Sequence, residues 1–94
     1  MIVRIAGDAQ YELDERHHQE LDELDNAVVA AVDAGDEPGF TERFATLLAF
    51  VRREGRPLAD DDLHPSDIIV PPEDLTFAEA GEDFSGEGLV PDFA

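Results

Sequence analysis

The sequence predicts an α+β fold in one small domain: an N-terminal β-hairpin, an antiparallel helical hairpin, a short third strand and a weak C-terminal helix. Three observations carry this. The first thirteen residues alternate in polarity around a Gly7-Asp8 turn signal. Residues 14–54 hold two apolar stripes at helical spacing, separated by Gly35. Beyond Gly55 the pattern breaks into short segments punctuated by prolines. With 94 residues the chain has room for a single core, which excludes multidomain enzymes and repeat arrays. The domain is therefore expected to span residues 1–94, with 85–94 as an extended tail.

In the hairpin, Ile2, Arg4 and Ala6 point one way and Val3 and Ile5 the other; Val3, Ile5, Tyr11 and Leu13 supply the buried face. Two strands alone are marginal, so the hairpin must lean on a helix or gain a third strand. Asp14 suits a helix N-cap, with Glu15 favoured by the dipole in the first turn. Leu21, Leu24, Val28, Ala31 and Val32 then form one amphipathic stripe, stopped by Gly35. A second helix begins at Asp36 or Glu37 with Pro38 in its first turn. It carries Phe40, Phe44, Leu47, Leu48 and Val51 as its apolar stripe and ends at Gly55. So short a link makes the two helices antiparallel neighbours. Arg56-Pro57-Leu58 reads as extended, Ile68-Ile69-Val70 as a strand halted by Pro71-Pro72, and Thr76 with Glu79 as the capping box of a short last helix weakened by Gly81.

The chain has 24 Asp+Glu against 6 Lys+Arg, all six being Arg, for a formal charge of −18. With no concentrated basic face, direct binding to phosphate backbones or anionic lipid is disfavoured. The charge fits a haloarchaeal-type composition, in which dense carboxylate keeps a protein hydrated in a cytoplasm of very high salt. Disorder, the other reading of high charge, is countered by 43% apolar residues in periodic order. Zero cysteines remove disulfides, thiolate nucleophiles and Cys-ligated zinc. No apolar run approaches the roughly 18 residues of a membrane span, and Met1 leads straight into a strand-like segment, so an intracellular, soluble protein is expected.

Chemistry-bearing clusters are sparse. His17 and His18, with Glu20 and His64, are metal-ligand types, but adjacent helical residues diverge by about 100°, and surface helix positions are the better reading. Asp60-Asp61-Asp62 with Asp67 and Glu73 lacks the alternating spacing of a calcium loop. Ser66 and Ser85 sit in no nucleophile elbow, and no Gly-rich loop leads into a helix. No catalytic residue, cofactor or metal is therefore expected. The candidates for partner contact are of two kinds. Arg52, Arg53 and Arg56 gather half of the positive charge near one helix end, where they either complement the dipole or meet an acidic site on a partner. Leu89, Val90 and Phe93 in the tail either wrap back onto the domain, the favoured reading, or present a linear motif.

Several segments in order carry a family resemblance: residues 1–14 (MIVRIAGDAQYELD), 21–25 (LDELD), 31–36 (AVDAGD), Pro57-Leu58, 63–72 (LHPSDIIVPP) and 87–91 (EGLVP). Together they cover nearly the whole chain, and the ordered set resembles the PspA-associated protein (PspAA) family. Residues 78–85 depart from the family pattern, in which a longer last helix with more Leu is typical. The resemblance implies a non-enzymatic accessory or adaptor without cofactor. It would bind a PspA-like, ESCRT-III-like coiled-coil protein in the cytoplasmic membrane-stress (phage-shock-type) response, meeting the membrane only through that partner. A competing expectation from the charge alone is an acidic decoy that occupies a basic, nucleic-acid-binding site on another protein.

Overall fold

The computed structural model describes residues 1–58 and 65–83. Residues 60–62, His64 and the tail with Leu89, Val90 and Phe93 lie outside the described residues. The chain opens with β1 (Ile2–Ile5) and β2 (Gln10–Glu12), paired antiparallel with Val3 opposite Tyr11. Gly7 makes the turn by adopting φ +77°, a region in which a Cβ would be strained, and the Asp8 N–H closes it on the Ile5 carbonyl at 2.9 Å. Asp14 caps the next element, its carboxylate accepting from the Arg16 N–H at 3.0 Å. That element is first a 3-10 turn over Glu15–His17, and only then α1 (His18–Asp33).

The exit from α1 is a Schellman motif. Gly35 takes φ +68°, its N–H reaches the Val32 carbonyl at 3.1 Å, and the Asp36 N–H reaches that of Ala31 at 2.9 Å. Asp36 then caps α2 (Glu37–Glu54) by accepting from the Gly39 N–H at 3.0 Å, with Pro38 in the first turn. The helical hairpin thus forms where the two caps share a short link, and α1 and α2 pack along their lengths.

Among the described residues the sheet has four strands rather than three. After α2 the chain forms the two-residue strand β3 (Arg56–Pro57) on the free side of β2, with Tyr11 opposite Pro57 and Glu12 opposite Arg56. The Leu58 N–H extends that ladder to the Gln10 carbonyl at 2.9 Å. The strand expected at Ile68-Ile69-Val70 is therefore the fourth, β4 (Ile68–Val70), and it lies parallel to β1 with Val3 opposite Ile68. The order is β3-β2-β1-β4. Asp67 locks the β1–β4 register: its carboxylate accepts from the Ile2 N–H at 2.8 Å, and its own N–H donates to the Ile2 carbonyl at 2.9 Å. Pro57 suits the edge strand β3, where a missing donor leaves no ladder bond broken, and Pro71-Pro72 end β4.

The helices cover one face of the sheet. Val3, Ile5, Leu13, Ile68 and Val70 meet Leu21, Val28 and Ala31 of α1 and the apolar stripe of α2 in a single buried cluster, with Leu24, Val32 and Tyr11 packed half-buried at its edge. Phe50, Val29 and Asp25 also belong to the interior. Last comes α3 (Phe77–Asp83), started by the expected capping box: the Glu79 N–H donates to the Thr76 hydroxyl at 3.2 Å, and the Glu79 carboxylate accepts from the Thr76 N–H at 3.2 Å. Ala80 carries α3 into the core.

Candidate functional site

The three arginines singled out by the sequence are not one patch. Arg52, in the last turn of α2, reaches the β1–β2 turn and the segment after β4. Its Nη2 lies 3.0 Å and its Nε 3.1 Å from Asp8 Oδ2 in the β1–β2 turn, while its Nη1 lies 3.4 Å from Glu73 Oε2 beyond β4. Burial works against its charge, but the Asp8 hydrogen bond and the two carboxylates outweigh this and raise its pKa above the ordinary value. Arg53 donates from Nε to Glu54 Oε1 at 2.9 Å, and its guanidinium lies 6.0 Å from the Phe50 ring centroid. The Arg53 hydrogen bond holds the exposed Glu54 carboxyl below its ordinary range. Arg56 sits away from both, on β3, and pairs with Glu12 across the sheet. Each guanidinium thus serves a carboxylate of its own chain.

Arg52 and Arg53 do meet on the rim of one feature, a groove of about 670 Å³ along the solvent side of α2. Thr41, Ala45 and Ala49, spaced four residues apart and exposed, run along its length. Phe44 and Leu48 lie beneath them, and Leu75 stands on the opposite side beside Glu73. The aromatic end is held rigid: Phe40 stacks on Phe44 with centroids 5.4 Å apart and meets Phe77 of α3 at 5.7 Å. The small-residue row that opens this groove was a readable sequence signal, since Thr41, Ala45 and Ala49 flank the apolar stripe at i, i+4, i+8; only the position of Leu75 across from it is non-local.

The histidines are less exposed than surface helix positions imply. His17 and His18 are both half-buried, and the His17 ring meets Phe50 edge-on with centroids 5.7 Å apart. The His17 Nε2 lies 3.7 Å from Glu54 Oε2. Among the described residues no group of three or more His, Asp or Glu converges in a way that could hold a metal ion. Asp25, part of the 21–25 segment but given no role by the sequence, is fully buried on α1; its i, i+4 spacing from Leu21 and from Val29 places it on the apolar face. Among the described residues no helix is long and apolar enough to cross a membrane.

Fold and surface together define a small acidic α+β protein whose largest described concavity is a shallow groove beside a helix. The chain belongs to the PspA-associated protein family: the family model PspAA, described as PspA-associated protein, matches residues 1–92. Comparisons with curated proteins and with solved structures found no match.

Proposed function

We propose that this chain acts by binding rather than by catalysis, as an accessory of a PspA-like coiled-coil protein in a membrane-stress response of the phage-shock type. The observation that carries the reading is the family match over residues 1–92, whose description is one of association with PspA. The shape of the surface supports it. An open, largely apolar groove suits contact with another protein's helix better than enclosure of a small molecule, which calls for a concave pocket burying most of its ligand. In this reading the protein works in the cytoplasm and reaches the inner membrane face through its partner, because a surface this acidic is repelled by anionic lipid.

The experiment is co-expression with the PspA-like protein of the same cell, followed by affinity capture in molar salt and a binding isotherm for the purified pair. Co-elution with a saturable isotherm is expected. Failure of the two proteins to associate across salt concentrations would reject the function.

A further inference from the structure

We infer that the groove along α2 is the seat of one amphipathic helix of the partner, laid against Thr41, Ala45 and Ala49 with carboxylates at the end that meets Arg52 and Arg53. This rests on the proposed function and names the surface that would perform it.

Three features of the groove specify that occupant. The first is shape. From Thr41 to Arg52 the α2 axis rises roughly 16 Å, the length of about three helical turns. Along it the exposed side chains are Thr41, Ala45 and Ala49, small enough for a second helix axis to approach to about 8–10 Å. The second is chemistry: Phe44 and Leu48 form the floor and Leu75 one wall, so the side of the occupant facing them must be apolar.

The third is charge. On a chain of formal charge −18, this groove is lined by two guanidiniums and one carboxylate, Glu73. The three other concavities described carry more carboxylates than cations, for example Asp8, Glu73 and Asp74 around Arg52 at the end of the hairpin. At those three concavities a helix bearing acidic residues meets more carboxylates than cations, whereas this groove offers it two guanidiniums. Arg53 is 67% exposed, and among the described residues its ion-pair partner is its sequence neighbour Glu54, so a partner carboxylate can reach it without opening the Arg52 bridge to Asp8 and Glu73.

The test uses the full chain and the PspA-like protein as probe, with wild type, Ala45→Trp, Ala49→Glu, Arg53→Gln and, on the opposite face of the sheet, Ile69→Glu. Both alanines are exposed, and a Glu at position 49 lies three and four residues before Arg52 and Arg53, so folding is preserved or improved; melting curves confirm it for each variant. Ala45→Trp and Ala49→Glu are expected to weaken binding at least tenfold, and Arg53→Gln several-fold. Ile69→Glu, whose side chain is 60% exposed on the uncovered sheet face, is expected to leave binding unchanged. If wild type binds and the groove variants bind equally well, the groove assignment is overturned while the function stands. If wild type does not bind, both fall. If sedimentation shows that wild type self-associates through the groove and the variants do not, the occupant is a second copy of this chain and the inference is wrong.

Discussion

At the scale of single residues, two glycines next to helices have opposite requirements. Gly55 leaves α2 in an extended conformation (φ −83°, ψ 148°), and a Cβ there would lie 2.5 Å from the Val51 carbonyl oxygen and 2.8 Å from Tyr11 Cβ. Gly81, exposed within α3, has no atom of the described residues within 4 Å of that position. Gly55→Ala must therefore push β2 away from the end of α2, at a cost of about 1–3 kcal/mol. Gly81→Ala only reduces the freedom of the unfolded chain and is expected to add about 0.4–1 kcal/mol. Urea denaturation of the two variants checks the signs; equal midpoints would mean that the tight packing of Gly55 against Tyr11 is wrong. In the core, Phe44 is 4% exposed and stacked on Phe40. Phe44→Ala is expected to lose roughly 3–5 kcal/mol in the same assay, and an unchanged midpoint would remove it from the core.

At the scale of elements, charge acts through caps. The backbone N–H of Thr76, then its hydroxyl, hold the Glu79 carboxyl below its ordinary range, and the N–H of Arg16 does the same for Asp14. A carboxyl whose folded pKa is depressed contributes stability that is complete above its unfolded value, about 4, and is lost as pH falls through the folded one. Glu79→Gln is thus expected to be less stable than wild type at pH 7, and the gap between them should close progressively below about pH 4. Melting curves of both proteins from pH 7 to pH 2 measure that gap. A gap that stays the same size at the acid end would show that Glu79 acts independently of its ionisation, and no gap at pH 7 would show that its carboxylate contributes nothing to the start of α3. The bridge from Arg52 to Asp8 and Glu73 belongs to this scale too. It ties the end of α2 to the β1–β2 turn and to the segment after β4, joining three elements that adjoin only in the folded chain.

At the scale of the whole molecule, 24 carboxylates face 6 guanidiniums. The ion pairs among the described residues are mostly exposed, and such pairs contribute about 0.2–1 kcal/mol each before screening. Repulsion among the unpaired carboxylates therefore dominates, and it reaches across the domain when the Debye length is about 30 Å at 0.01 M salt but not when it is about 3 Å at 1 M. The melting temperature is expected to rise from millimolar to molar salt; a flat profile would show that the self-repulsion is already offset within the fold.

The sequence by itself determined whatever is settled within about four residues along the chain. The Gly7 turn, the Asp14, Asp36 and Thr76 caps, the Gly35 stop and both helical stripes each depend on neighbours one helical turn or one hairpin loop away, so composition and spacing specify them. The tertiary structure alone decided the rest. A two-residue strand containing Pro57 has no period to read, and β3 exists because the end of α2 delivers Arg56 beside Glu12. Likewise β4 is parallel to β1 because Asp67 finds the backbone of Ile2, 65 residues earlier. The arginines looked like one cluster because they are close in sequence. Yet Arg52 and Arg56 both reach across 44 residues to their carboxylates, at Asp8 and Glu12, and only the fold sends Arg56 to the sheet while leaving Arg52 and Arg53 on the groove. Such contacts are made between segments that chain entropy keeps apart until the core assembles, and no local pattern encodes where they will meet.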